Sequence, residues 1–424
     1  MKKKLLVPLF LAGMAIPAIA SQSEIKGVDA AFIGEYGERA AYIAHASKIN
    51  AQLAEEGFTL LKNDGTFPIE KGSKITVVGK SSTNIVRGGG GSGAINGISN
   101  GVTAYDIQSS LTEAGFVINN VATEFYKSSS KSGSGRTNGN DGWKGNSEVT
   151  IGETPIEKVT GDTELMASFD EYNDLAIQVI SREGSEGCDI LTIDATDNTK
   201  FGASNKHALE LSDNEQALFD ELHDHFDKIL IVVNSSNIFE CEQFQNDDQV
   251  AGIIWIGNPG DVGPVALGRI LCGDVNPSGH TVDTWTRDFT KDPTFQNFSD
   301  NRHNTGVVIP NHQGRQNHQS ADTMLNADGT PMRSYGTDKS YSNTANPTYL
   351  EDAQYKVMKG GINGVKPAAY VSYEEGIYLD YRYYETRYAD MAKENKTDAD
   401  EWYNSNEGVL YPFGYGLSYT TFSQ

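Results

Sequence analysis

Two glutamates, Glu183 and Glu186, lie either side of Gly184 in the stretch LAIQVISREGSEGCD at Leu175–Asp189. A carboxyl group set against a low-dielectric interior keeps its proton to higher pH than one in water, as a general acid near neutral pH requires. The residues just before could supply such an interior. Leu175–Ile180 is a short apolar run of the kind that forms a buried strand in a parallel sheet. In open α/β sheets ligands bind at the carboxyl ends of the strands, and the loops there hold the chemistry. Taken alone, the same two glutamates also fit solvated loop charges.

A second constellation is RGGGGSG at Arg87–Gly93. It contains G-x-G-x-x-G at Gly88, Gly90 and Gly93, but a dinucleotide fingerprint needs its first glycine directly after a strand. Here the preceding strand, Ile75–Val78, ends too early. Gly79-Lys80-Ser81 resembles the end of a phosphate-binding loop, yet Lys74 stands where that loop needs glycine. Gly90–Ala94 falls one residue short of a serine-hydrolase elbow and lacks the strand leading into it, so an esterase working through Ser92 is a third-ranked reading. What the glycine run offers is a backbone free of side chains, able to approach a ligand and present N–H groups to its hydroxyls, with Ser92 adding a hydrogen bond. A flexible surface loop fits it as well.

No metal and no cofactor is expected. The histidines show no metal-ligand spacing: His312 and His318 fall in a polar stretch, and Lys206-His207 reads as an incidental pair in a connector. Asp398 and Asp400 begin like a calcium loop whose glycine and closing glutamate are misplaced. Cys188, Cys241 and Cys272 are odd in number and lack C-x-x-C spacing, so they read as small buried hydrophobes rather than a disulfide framework or a zinc site.

The chain has 424 residues, enough for one large domain or two. Residues 1–20 read as a secretory signal peptide: MKKK is its basic start, an apolar run follows, and Ala18-Ile19-Ala20 is the cleavage site. Secretion is therefore expected. Loss of three lysines with the leader would take the net charge from −23 to −26. So acidic a chain argues against nucleic acid or an anionic membrane as partner.

The remaining elements should position the two constellations. Ala30–Glu56 reads as an amphipathic helix, followed by the apolar FTLL at Phe58–Leu61 and a turn at Asn63–Gly65. A helix with Ile107, Leu111 and Ala114 on one face stops at Gly115. Lys127–Asn146, rich in Ser, Gly and Asn, reads as a mobile loop. Ser212 and Glu215 form a capping box opening a helix through Leu218, Leu222 and Phe226. Strands at Ile229–Val233 and Val250–Ile256 and a helix over Val265–Leu271 complete a βαβ alternation that predicts a mostly parallel sheet. The expected divisions are an entry helix and linker over 21–70, an α/β sandwich over 71–287, a polar insertion over 288–368 and an aromatic segment over 369–424 packed on the sandwich.

These segments together resemble the sandwich domain of glycoside hydrolase family 3, the β-glucosidase family. The matching pieces run in the family's order: EGFTLLKNDGTFPI, ITVVGK with RGGGGSGAIN, VISREGSEGCD, LSDNEQALFDEL, ILIVVNSSNIFE, GIIWIGNPG, GDVNPSGHTVDTW, YEEGIYLDYRYYE and YPFGYGLSYTTF. The resemblance implies a retaining enzyme acting on terminal β-D-glycosidic bonds. In that family a barrel domain supplies an aspartate nucleophile and the sandwich supplies a glutamate acid/base. Carried over by motif, the acid/base is Glu186, with Glu183 as the fallback, while Arg87, Gly91, Ser92 and Gly93 edge the sugar site. A barrel takes roughly 250 residues, and neither that space nor the Ser-Asp-Trp segment of the family nucleophile is found here. The expectation is an incomplete enzyme, weakly active or inactive alone. Its partners would be a β-linked oligosaccharide or glycoside and a barrel-domain chain. A secreted, non-catalytic carbohydrate-binding or scaffold protein is the alternative.

Overall fold

The computed structural model describes residues 37–89, 93–95, 101–136, 151–184, 206–293 and 376–421. Six strands form one sheet: β1 (Thr59–Asn63), β2 (Lys74–Val78), β3 (Val117–Ile118), β4 (Leu175–Ser181), β5 (Ile229–Asn234) and β6 (Val250–Trp255). Their order is β1-β6-β5-β4-β2-β3, parallel throughout except for β1, which runs antiparallel to β6. The expected α/β fold with a mostly parallel sheet is thus observed.

Strand β4 is inner, and every one of its residues is buried. Because side chains alternate across a strand, Ala176 and Ile180 face one core layer while Ile177 and Val179 face the other. Helix α3 (Asn120–Lys127), α4 (Thr163–Phe169) and α5 (Asp213–His223) cover the first layer through Phe125, Phe169, Leu218 and Leu222. The second is covered by α1 (Arg39–Gly57), α2 (Ile107–Glu113) and α6 (Val265–Leu271), through Ala54, Leu111 and Leu267. Helices α2 and α6 meet closely at Gly268, where a Cβ would lie 2.4 Å from the Ser110 carbonyl oxygen.

Three local readings change. The expected helix start at Ala30 lies outside the described residues, and α1 spans Arg39–Gly57. The FTLL run is no linker, since it contributes β1, the antiparallel edge of the sheet. Part of the stretch read as a mobile loop is helical: Ser128 caps a turn over Ser129–Ser132 by accepting from the Lys131 N–H, and Ser132 is buried. Serine-rich composition concealed a capping function.

The aromatic tail contains α7 (Tyr381–Glu394), α8 (Lys396–Tyr403) and β8 (Val409–Tyr411), the last antiparallel to β7 (Trp285–Thr286). It closes over the β1 edge. The Leu417 N–H donates to the Leu60 carbonyl at 2.8 Å, and the Tyr415 hydroxyl to that of Leu61 at 3.2 Å. Covering an edge strand in this way blocks unwanted strand pairing. Among the described residues no helix is long and apolar enough to cross a membrane.

Candidate functional site

The parallel strands bring Gly79, Ser181–Gly184, Asn234 and Gly257–Asp261 to one rim at their carboxyl ends. Asn234 holds it together. Its Oδ1 accepts from the Val86 N–H at 2.6 Å and the Ser181 hydroxyl at 2.8 Å. Its Nδ2 donates to the carbonyls of Val86 at 2.9 Å and Gly257 at 2.7 Å. A single buried amide therefore ties the ends of β4, β5 and β6 to the residue that precedes Arg87. Buried amides that satisfy their donors and acceptors in this way specify one arrangement. Sequence reading missed Asn234; its signal was a polar residue closing the apolar run ILIVVN.

Two arginine–glutamate pairs then fix the exit of β4. Arg182 donates to both carboxylate oxygens of Glu215, at 2.8 and 2.7 Å, and to the carbonyls of Ser181, Ala208 and Glu210. Both side chains are 3% exposed. Glu215 also completes the capping box of α5, accepting from the Ser212 N–H at 3.0 Å. The capping glutamate thus fastens the strand exit to a helix start. In the second pair, Glu183 Oε2 accepts from Arg136 Nε at 2.9 Å with both side chains nearly buried, and Arg136 also donates to the Asn84 carbonyl. Glu183, expected either as a loop charge or as the fallback acid, is buried rather than solvated and sits in a clasp joining three segments. Glu186, Gly91 and Ser92 lie outside the described residues.

Arg87 is latched to the exit loop of β6. Its carbonyl accepts from the Gly260 N–H at 2.7 Å, and its guanidinium donates to the carbonyls of Gly260 and Asp261 and sits 3.6 Å from Asp261 Oδ1. Close approach falls at Gly88, where a Cβ would lie 2.5 Å from Ile95 Cγ1; at Gly93 a Cβ would meet nothing within 4 Å. Beside Arg87, between α1 and the β6 exit loop, is a cleft of about 620 Å³.

Other groups are engaged structurally. Lys80 is buried, which lowers its pKa, and its Nζ donates to the Tyr126 carbonyl and Ser132 hydroxyl at 2.6 and 2.8 Å. Burial pushes the Cys241 thiol well up, so it is an inert core group, whereas Cys272 is half-buried. The Lys206-His207 pair is not incidental. His207 is buried, with Nδ1 accepting from the Leu209 N–H and Nε2 3.1 Å from Glu240 Oε1. Asp400 is held by Lys396 and the Tyr388 hydroxyl.

A family model described as the glycosyl hydrolase family 3 C-terminal domain matches residues 58–381. The chain belongs to that family. Among curated relatives of this family 3 chain, beta-glucosidase A of Butyrivibrio fibrisolvens is 25% identical over 408 residues, covering 92% of this chain and 37% of that protein. A beta-glucosidase of Ruminococcus albus is 25% identical over 384 residues, covering 90% and 28%. The chain therefore spans well under half the length of these relatives. A solved beta-glucosidase from Paenibacillus barengoltzii superposes with a TM-score of 0.54 at 21% identity, over 90% of this chain and 30% of that one. Beta-glucosidase 3B from Thermotoga neapolitana gives 0.53 at 20%, over 89% and 38%. At these identities the structural likeness speaks for the shared α/β fold.

Proposed function

We propose that this chain is the acid/base-bearing component of a β-glucosidase-type retaining glycoside hydrolase, exported after cleavage near Ala20 and acting on terminal β-D-glycosidic bonds. The reading is carried by one observation: in a family 3 domain, β4 and the Val86–Gly89 segment leave the same rim, joined there by Asn234. Glu186 follows the clasped residue Glu183 by three positions and is the proton donor in this reading, since Glu183 is occupied by Arg136. Arg87, Gly91, Ser92 and Gly93 edge the sugar site.

In the first step Glu186 gives its proton to the departing glycosidic oxygen while a second carboxylate, supplied by a barrel domain, attacks the anomeric carbon and forms a glycosyl ester. In the second step the Glu186 carboxylate takes a proton from water, whose oxygen displaces that ester. The geometry demands two carboxyls roughly 5–5.5 Å apart. Without the second carboxylate no covalent intermediate can form.

The test is hydrolysis of an aryl β-glucoside by this chain alone and by the chain mixed with a separately expressed family 3 barrel. Turnover on mixing that is lost in Glu186→Gln is expected. Sugar binding with no turnover in the mixture would favour a non-catalytic binding protein. Labelling of Ser92 by a serine-directed inhibitor would favour an esterase.

A further inference from the structure

Helix α1 carries apolar residues on the face it turns away from the domain. Of its 19 residues only Ala51 and Ala54 are buried. Beneath its first half, lined by Ala40, Ala44 and Ser47, runs a cleft of about 690 Å³. On the opposite side Tyr42, Ala46, Ile49 and Leu53 recur at spacings of four, three and four, the rhythm by which one helix packs its seam on another. Tyr42, Ile49 and Leu53 are 59%, 41% and 64% exposed. A helix with apolar residues all round is ordinarily covered all round, yet this seam faces solvent.

We infer that this seam pairs with the same seam of a second copy of the chain, the two α1 helices running antiparallel. Self-complementarity selects the occupant. A two-fold axis between Ala46 and Ile49 sets Ala46 of one copy against Ile49 of the other, small against large, and Tyr42 against Leu53. One step further out it sets Arg39 against Glu56, so both ends of the seam close on opposite charges. Each contact then occurs twice, as an interface between identical surfaces requires. The positions flanking the seam, Ile43, His45, Asn50 and Gln52, hold no acid, so two chains of net charge −23 can meet there without like charges facing each other. The seam is short beside an obligate interface, so the dimer should be reversible and form in the micromolar range.

Sedimentation equilibrium of the full chain over a range of concentrations, at low salt, tests this. Reversible dimerisation is expected. Ile49→Lys, at an exposed position, should weaken it about tenfold or more by setting a charge into the apolar seam from both sides. Leu53→Lys should do the same and serves if Ile49→Lys fails to fold. Arg39→Glu should weaken the dimer severalfold, and Arg39→Glu/Glu56→Arg should restore it, a rescue that a merely structural role of either residue would not give. Phe413→Ser, which removes an exposed ring on the aromatic cover, should leave the dimer unchanged. The inference is overturned if the chain is monomeric throughout, if neither lysine variant weakens the dimer, if the charge exchange fails to restore it, or if Phe413→Ser abolishes it. A seam that serves the family 3 barrel instead would leave the chain monomeric and make Ile49→Lys abolish turnover in the mixture, which also overturns it.

Discussion

The rim and the aromatic cover both contain acid–base pairs and rings, but only one of them uses its charges to fix geometry. At the rim, Arg182 and Glu215 are 3% exposed, meet through two hydrogen bonds, and share their other donors and acceptors with backbone. On the cover, Lys396 and Asp400 are 70% and 48% exposed, one turn apart on α8. The cover is organised by packing instead: Tyr384 stacks on Trp402 at 6.2 Å, and Tyr411 on Tyr415 at 5.0 Å. Charges removed from water hold a site in place because leaving either one unpaired is costly, whereas charges in water exchange partners freely.

The largest effect should come from breaking the rim pair. Arg182→Met leaves Glu215 buried without its cation and should cost about 3–5 kcal/mol in denaturant unfolding. Restoring an apolar partner with Arg182→Met/Glu215→Leu should recover part of that loss. Next, Asn234→Leu strands the Val86 N–H and the Ser181 hydroxyl and should cost about 2–4 kcal/mol, since unsatisfied groups cost more than the bonds themselves. Hydrogen exchange at Val86 should quicken in the same variant.

A smaller effect concerns pH. Burial raises the Glu210 carboxyl above its ordinary range. A raised acid means that the folded chain binds this proton more tightly than the unfolded one. Its contribution to stability is therefore present at low pH and lost as pH rises through the folded pKa. Glu210→Gln should flatten that part of the stability–pH curve while keeping an acceptor for the His207 N–H. Least of all, Lys396→Met on the cover should leave the unfolding midpoint indistinguishable from that of the unaltered chain. A loss there comparable to that of Arg182→Met would remove the contrast between the two regions.

The sheet was legible because its strands are apolar on both faces: LAIQVI, ILIVV and VAGIIW each announce a buried parallel strand. The capping box at Ser212 and Glu215 was legible too, being local in sequence. The clasps at the rim were not. Arg136 and Glu183 are 47 residues apart, and Asn234 reaches Val86 across 148. Such partners meet only once the crossovers have brought the strand ends together, so nothing near either residue in sequence marks the pair. The FTLL strand was missed for a related reason, since its partner β6 lies far along the chain.

The central claim is that Glu186 protonates the leaving oxygen, and leaving-group dependence tests it most directly. Chain and family 3 barrel should be mixed, and glycosyl-enzyme formation measured with aryl β-glucosides of graded phenol acidity, for the unaltered chain and for Glu186→Gln. A general acid matters most where the departing oxygen is basic. The account predicts that Glu186→Gln slows poor leaving groups severely and an activated dinitrophenyl glucoside hardly at all. Equal slowing across the series, or none, would contradict it.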